Sequence, residues 1–294
     1  MAAPTELAAM RRAISLAALG LGTTSPNPPV GCVILDRHGV VVGEGFHERK
    51  GDAHAEAHAL AMAGDRARGG TAVVTLEPCN HFGRTPPCRK LLIEAGIARC
   101  VIAIIDPTSR EEGGAARMRA AGVDVEVGLL ADEAELVLGP WLRALRTARP
   151  FVTWASLAEV EGGRSSLSDP FLDEMRVSVD AVLTEDGRVF EGVLGGHGLG
   201  MIELDGVASG GSPEELLASL HQGGIRSAVL NYSATKAAPF LAAGLVDQVL
   251  VYLPARTAGA GSVGYGPEEF IPARYGLREV RKTNGFVVIR AERA

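Results

Sequence analysis

His54, Glu56, Cys79 and Cys88 are the residues of this chain whose types and spacing can do chemistry. One imidazole and two thiolates form a borderline-soft set of three ligands that suits Zn²⁺. Three protein ligands leave a fourth tetrahedral position for water, as in a catalytic rather than a structural site. Glu56 follows His54 by two residues. It is near enough to face that water without coordinating the metal, as a proton carrier between water and leaving group must be. Plainer readings exist. A His-x-Glu is often a surface helix turn, and two cysteines can be buried apolar residues or a disulfide. Here Cys79 follows Glu77-Pro78, and both cysteines flank a Gly- and Pro-rich turn after an apolar run, so zinc is the expected ligand.

The elements that must hold these groups are legible around them. Residues two apart on a helix point about 200° from each other, so His54 and Glu56 must sit in the first turn of a helix opened by Gly51-Asp52. There the positive end of the macrodipole favours a carboxylate at Glu56. His58, one turn on, is read as structural because the thiolates complete the set. Thr71 to Leu76 is a β-branched strand that delivers Glu77-Pro78-Cys79, and Cys88 opens a helix through Ala95. Both thiolates should gain from helix-start geometry.

Upstream, Leu7, Met10, Ile14 and Ala17 recur at helical spacing, predicting a helix from Thr5 to about Leu19. The rigid Ser25-Pro26-Asn27-Pro28-Pro29 then fixes where the Asn27 amide points. Val30–Leu35 and Val40–Phe46 read as a hairpin that ends at His47, where a strand meets a loop. Between the cysteines lie Asn80, His81, Arg84 and Thr85, polar tips on an insert suited to reading a substrate. Arg84, with its planar fork, is the candidate for phosphate. Strands at Cys100–Ile105 and Val123–Val127 and helices at about Gly114–Ala121 and Ala131–Ala148 complete a three-layer α/β/α sandwich with a mixed sheet. Cys32 and Cys100 lie in apolar runs and read as core.

At 294 residues, 47% of them apolar, the chain is expected to form two domains, 1–148 and 149–294. A net charge of −6 with no Lys/Arg block argues against a protein built to hold a nucleic-acid backbone and favours a small substrate. With four cysteines, no signal peptide and no run long enough to span a bilayer, the expectation is a soluble, cytoplasmic protein with no membrane partner.

The His-x-Glu and Pro-Cys pieces match the signature of zinc deaminases that act on nucleobase rings, with a longer gap between the cysteines than the usual two residues. More specifically, several stretches resemble the deaminase half of the bifunctional riboflavin-biosynthesis deaminase/reductase family. They are Thr24–Ile34, Gly43–His47, His54–Leu60, Thr75–Cys79 and Gly83–Cys88. The resemblance covers residues 5 to 148. It implies a cytidine-deaminase-like domain that releases ammonia from 2,5-diamino-6-ribosylamino-4(3H)-pyrimidinone 5′-phosphate. It also implies zinc ligands His54, Cys79 and Cys88, catalytic Glu56, and substrate contacts from Asn27, His47, Arg84 and the segment holding Asp106 and Thr108. Where the family continues Asp-Pro-Asn-Pro, this chain has Asp106-Pro107-Thr108-Ser109, then Glu111-Glu112. A hydroxyl replaces an amide, and two acids follow that would repel a phosphate.

The second half resembles the family's dihydrofolate-reductase-like domain in order but not in working parts. Ala155 stands where the family has a Lys, and Asn231-Tyr232-Ser233 replaces a Glu-Gly-Gly turn for the dinucleotide. No glycine-rich turn there follows a strand and opens a helix, and Gly187 and Gly192–Gly200 read as a flexible loop. NADPH is therefore not expected, and the half is read as a shortened, degenerate domain with a structural or dimerisation role in a homo-oligomer. The alternatives are a deaminase of a related aminopyrimidine in a specialised pathway, a still bifunctional enzyme, and a non-catalytic zinc-stabilised assembly protein.

Overall fold

The computed structural model describes residues 2–80, 86–109, 112–158, 163–196, 211–254, 271–283 and 285–293. They form two compact units divided between Gly139 and Pro140.

The first unit is built on a five-stranded mixed sheet in the order β2-β1-β3-β4-β5. Its strands are β1 (Gly31–Leu35), β2 (Val41–Phe46), β3 (Thr71–Leu76), β4 (Arg99–Ile104) and β5 (Asp124–Val127). β1 pairs antiparallel with β2 and with β3, and β3, β4 and β5 run parallel. Its helices are α1 (Pro4–Ala18), α2 (Ala55–Ala63), α3 (Cys88–Glu94), α4 (Gly113–Ala120) and the first part of α5 (Ala131–Thr147). Strand alternation sorts the two faces. Cys32, Ile34, Val74, Cys100 and Ile102 pack on one side with Ala55 and Ala59 of α2, Leu92 of α3 and Met118 of α4. Val33, Leu35, Val73 and Val101 pack on the other with Met10 and Ala13 of α1 and Ala134 of α5. The expected three layers are therefore present, with Cys32 and Cys100 buried in the core.

Close approach of α2 to β2 depends on two missing side chains. A Cβ at Gly45 would lie 2.4 Å from the Ala55 carbonyl oxygen, and one at Gly43 would lie 2.1 Å from that of Ala59. The start of α2 can therefore rest directly on the strand that leads to His47.

The second unit is an α/β sheet ordered, among the described residues, β12-β13-β11-β6-β10-β8-β9, with β7 paired to β6. Its strands are β6 (Phe151–Ala158), β7 (Arg164–Ser165), β8 (Ala181–Thr184), β9 (Val189–Glu191), β10 (Ser227–Asn231), β11 (Gln248–Pro254), β12 (Tyr275–Thr283) and β13 (Phe286–Arg293). Helices α6 (Asp169–Arg176), α7 (Pro213–Gln222) and α8 (Ala234–Ala242) cover it. β11, β6, β10 and β8 run parallel. Trp154, Leu217, Leu230 and Phe240 fill one core, and Leu172, Val182, Val229 and Tyr252 fill the other. Ser212 caps α7 by a reciprocal capping box with Glu215, as Ser212-Pro213-Glu214-Glu215 predicts. Asp247, 3% exposed, accepts hydrogen bonds from Arg143, Arg149 and the Val152 amide, pinning the end of α5 and the start of β6 to β11.

Two expectations need correction. α2 begins at Ala55, later than Gly51-Asp52, and His54 is its N-cap, with extended φ −73° and ψ 162°. Gly187 belongs to no flexible loop: its φ is +83° and its amide donates to Thr184, closing the tight β8–β9 hairpin. His197–Gly200, part of the same glycine-rich run, lie outside the described residues.

Candidate active site

His54, Cys79 and Cys88 meet as the sequence implies, with their ligand atoms all within 4.8 Å of one another. His54 leaves the chain before the helix starts, which resolves the angular conflict with Glu56. Its carbonyl takes the first helical bonds, from the Ala57 and His58 amides, while its extended ψ turns the ring out to the cysteines. His54 Nδ1 lies 3.2 Å from Cys88 Sγ. β3 ends at Leu76 and hands over Cys79, and Cys88 is the first residue of α3. Only Cys88 stands at a helix start. Cys79 shares the benefit indirectly, because the Cys88 amide donates to its Sγ at 3.2 Å.

Glu56, in the first turn of α2, is 3% exposed. Burial, then the neighbouring charge at Cys79, pushes its carboxyl up to about 7. Within the sulfur pair the hydrogen bond between the two pulls Cys79 well down and pushes Cys88 up, so one thiolate faces one thiol among the protein groups alone. The hydrogen bond with Cys79 raises His54 above its usual value. Two sulfurs and an imidazole converging at one point, beside a buried carboxyl that is not part of the set, fit a tetrahedral zinc with one position left over.

Asn27 and His47 join this cluster. Asn27 Nδ2 lies 3.4 Å from His47 Nε2, and the His47 and His54 rings meet edge-on with centroids 5.3 Å apart. His47 is 3% exposed, its Nδ1 lies 3.2 Å from the Ala53 carbonyl, and burial lowers its pKa. His58 stands apart, half-buried, with Nδ1 3.6 Å from Glu48. Asp106 and Thr108 lie on the segment after β4. Both the amide and the hydroxyl of Thr108 donate to Asp106 Oδ1, each at 2.7 Å, so the hydroxyl at the position of the family's amide is committed locally. His81 and Arg84 lie outside the described residues.

Sequence reasoning passed over Glu77. This buried carboxyl, two residues before Cys79, accepts from the Ala115 amide at 2.8 Å. Its signal in the sequence is the pair Gly113-Gly114, which leaves room for it.

Residues 4–104 match the model of the cytidine and deoxycytidylate deaminase zinc-binding region. The diaminohydroxyphosphoribosylamino-pyrimidine deaminase of Buchnera aphidicola (subsp. Acyrthosiphon pisum) is 50% identical over 142 residues, which are 48% of this chain and 96% of that protein. The chain belongs to the RibD-type deaminase family. Riboflavin biosynthesis protein RibD of Escherichia coli K12 is also 50% identical over 154 residues, 52% of this chain, but that match spans only 42% of the relative's own length. Among solved structures, Acinetobacter baumannii RibD superposes with a TM-score of 0.77 at 26% identity, covering 99% of both chains. The Thermotoga maritima deaminase/reductase shares the fold, with a TM-score of 0.79 at 24% identity and 99% coverage of both. A zinc-binding deaminase domain followed by a reductase-like domain is thus the RibD-type architecture of this chain.

The RibD-type fold also implies a nicotinamide dinucleotide in the second unit, and among the described residues two donors at the turn from β10 into α8 are already taken. A dinucleotide phosphate needs free backbone donors where a parallel strand turns into a helix. At the turn from β10 into α8, the Ser233 amide and hydroxyl both donate to the Glu185 carboxylate, at 2.7 and 2.8 Å. Asn231, 5% exposed, gives both ends of its amide to the backbone of Leu167. An acidic side chain takes up the Ser233 amide and hydroxyl, two of the donors at that turn.

Proposed function

We propose that this protein is a zinc-dependent hydrolytic deaminase that releases ammonia from 2,5-diamino-6-ribosylamino-4(3H)-pyrimidinone 5′-phosphate, and that its second half performs no reduction. The observation that carries the reading is the buried Glu56 carboxyl beside the His54, Cys79 and Cys88 ligand atoms. Bound zinc supplies Lewis acidity that brings water into nucleophilic range near neutral pH. Glu56 would take one proton from that water and pass it to the ring nitrogen, then take the second from the hydroxyl left on the attacked carbon and pass it to the departing amine, which leaves as ammonia. A carboxyl buried to this degree exchanges protons with its neighbours rather than with bulk solvent. Asn27 and His47 hold the pyrimidine edge, His47 oriented by the Ala53 carbonyl. Arg84, on the insert between the cysteines, is assigned to the ribosyl phosphate, and His81 beside it to the substrate. Asp106 and Thr108 are assigned to the substrate.

The internally bonded Thr108 favours a second reading, in which the substrate is a related aminopyrimidine. A hydroxyl held by Asp106 offers a substrate less than a free amide would. The inactive reductase half is supported by Glu185 at Ser233. A homo-oligomer through the second unit is supported by β12, an edge strand that leaves Leu277 and Val280 exposed.

The test is ammonia release from the diaminopyrimidine phosphate by zinc-loaded protein, with and without NADPH. Release without NADPH oxidation is expected. Stoichiometric zinc with no release would move the reading to another aminopyrimidine, and NADPH oxidation by the deaminated product would restore a bifunctional enzyme.

A further inference from the structure

We propose that Glu77 is a positioning residue for the metal centre: its carboxyl caps α4 from a distance and so fixes the turn that presents Cys79. The proposal rests on the zinc reading of His54, Cys79 and Cys88.

The N-cap residue of α4, Glu112, makes no side-chain cap bond. Its third helical amide, Ala115, donates instead to Glu77 Oε1 at 2.8 Å, across 38 residues of sequence. The helix is shaped to receive this group. Gly113 has φ +78°, and a Cβ there would lie 2.6 Å from Glu77 Oε1. A Cβ at Gly114 would lie 1.9 Å from the Pro78 carbonyl oxygen. Two consecutive glycines thus let the first turn of α4 press on Glu77 and Pro78, the residues just before Cys79. On the other side, the Glu77 amide donates to the Ile104 carbonyl at 2.9 Å. Backbone and side chain together hold Glu77 between the end of β4 and the start of α4.

Packing alone does not account for an acid at this position. Glu77 is 5% exposed, and its Oε2 is buried with no hydrogen-bond partner among the described residues. A buried, half-satisfied carboxyl is costly, and an apolar residue would avoid that cost but lose the Ala115 bond. The outer partners of metal ligands act in this way. They do not touch the metal, yet they hold a ligand in the geometry that binds it.

The experiment measures zinc affinity by chelator competition on the full chain, alongside thermal melting. Glu77→Ala is expected to weaken zinc by about tenfold or more, and Glu77→Gln, which keeps an acceptor for Ala115, to recover most of the loss. Met118→Ala, at a fully buried position of the same helix, serves as a control that loosens α4 without touching Glu77. It should lower the melting temperature and leave zinc affinity near wild type. If Glu77→Ala binds zinc like the wild type, or Met118→Ala loses zinc equally at matched stability, the positioning role is overturned. Should Glu77→Ala not fold, Glu77→Asp against Glu77→Gln decides. Weaker zinc in the aspartate variant supports the proposal, and equal affinity overturns it. A wild-type chain that takes up no zinc would sink the zinc reading and this role with it, an outcome distinct from loss of the Glu77 effect alone.

Discussion

The ends of β3 and β10 are the same place in two sheets: the carboxyl end of a parallel strand, where α/β folds commonly collect ligand-binding groups. At the end of β3 the polar groups converge on a common point. Cys79, Cys88 and His54 bring their ligand atoms together, with Glu56 buried beside them. At the end of β10 the polar groups are used up on one another. Asn231 is bonded to Leu167, Ser233 to Glu185, and Lys236 to the Glu185 carbonyl, while the Trp154 indole donates to the Tyr232 carbonyl. Inward bonds of this kind help hold the sheet and its helices together.

The sharpest break in this contrast is expected at the sulfurs. Cys79→Ser or Cys88→Ser should remove stoichiometric zinc, read by metal analysis, and take ammonia release below detection. Glu56→Gln comes next. It should retain zinc and fold normally while turnover falls by about 10²–10⁴-fold, and near-normal turnover would remove Glu56 from the mechanism.

In the second unit the effects should appear in stability alone. Asp247→Ala strands the nearly buried Arg149 and should cost about 3–5 kcal/mol in denaturant unfolding of that unit. Asn231→Ala removes two buried bonds to Leu167 and should cost about 1–3 kcal/mol with an unchanged kcat for ammonia release. A change in kcat would mean that the β10 end still serves catalysis.

The smallest effect concerns pH. Burial would raise the Glu6 carboxyl, but hydrogen bonds from Arg99 and the Ala3 amide outweigh it and hold the group below its usual value. A depressed folded value gives stability that is present above the unfolded carboxylate value and fades as pH falls through the folded one. Glu6→Gln should therefore lower the melting temperature slightly at neutral pH and make no difference in strong acid.

Much of the first unit was legible because its signals are local. β3 runs from Thr71 to Leu76 as its β-branched run predicts, and Cys88 begins α3. The ligand triad was legible because its chemistry needs particular residue types in a particular order. The start of α2 was missed because Gly51-Asp52 looks like a helix opening, whereas the capping geometry belongs to His54. Glu77 was missed because its partner is 38 residues away, and a cap supplied from another element leaves no local pattern. In the second unit the β12–β13 hairpin escaped notice because β12 is exposed along nearly its whole length and carries no apolar alternation. Asn231 and Ser233 stand where the resemblance leads one to expect a glycine turn, and what they bond to is a tertiary fact.

Glu77 grips the chain on both sides of the stretch from Ile105 to Gly114, by its amide at Ile104 and its carboxyl at Ala115. That stretch is therefore a cassette with fixed ends: its residues can be exchanged while the strand before it and the helix after it stay anchored beside Cys79. Such an arrangement separates the two tasks: the residues around Thr108 can change without disturbing the anchors beside Cys79.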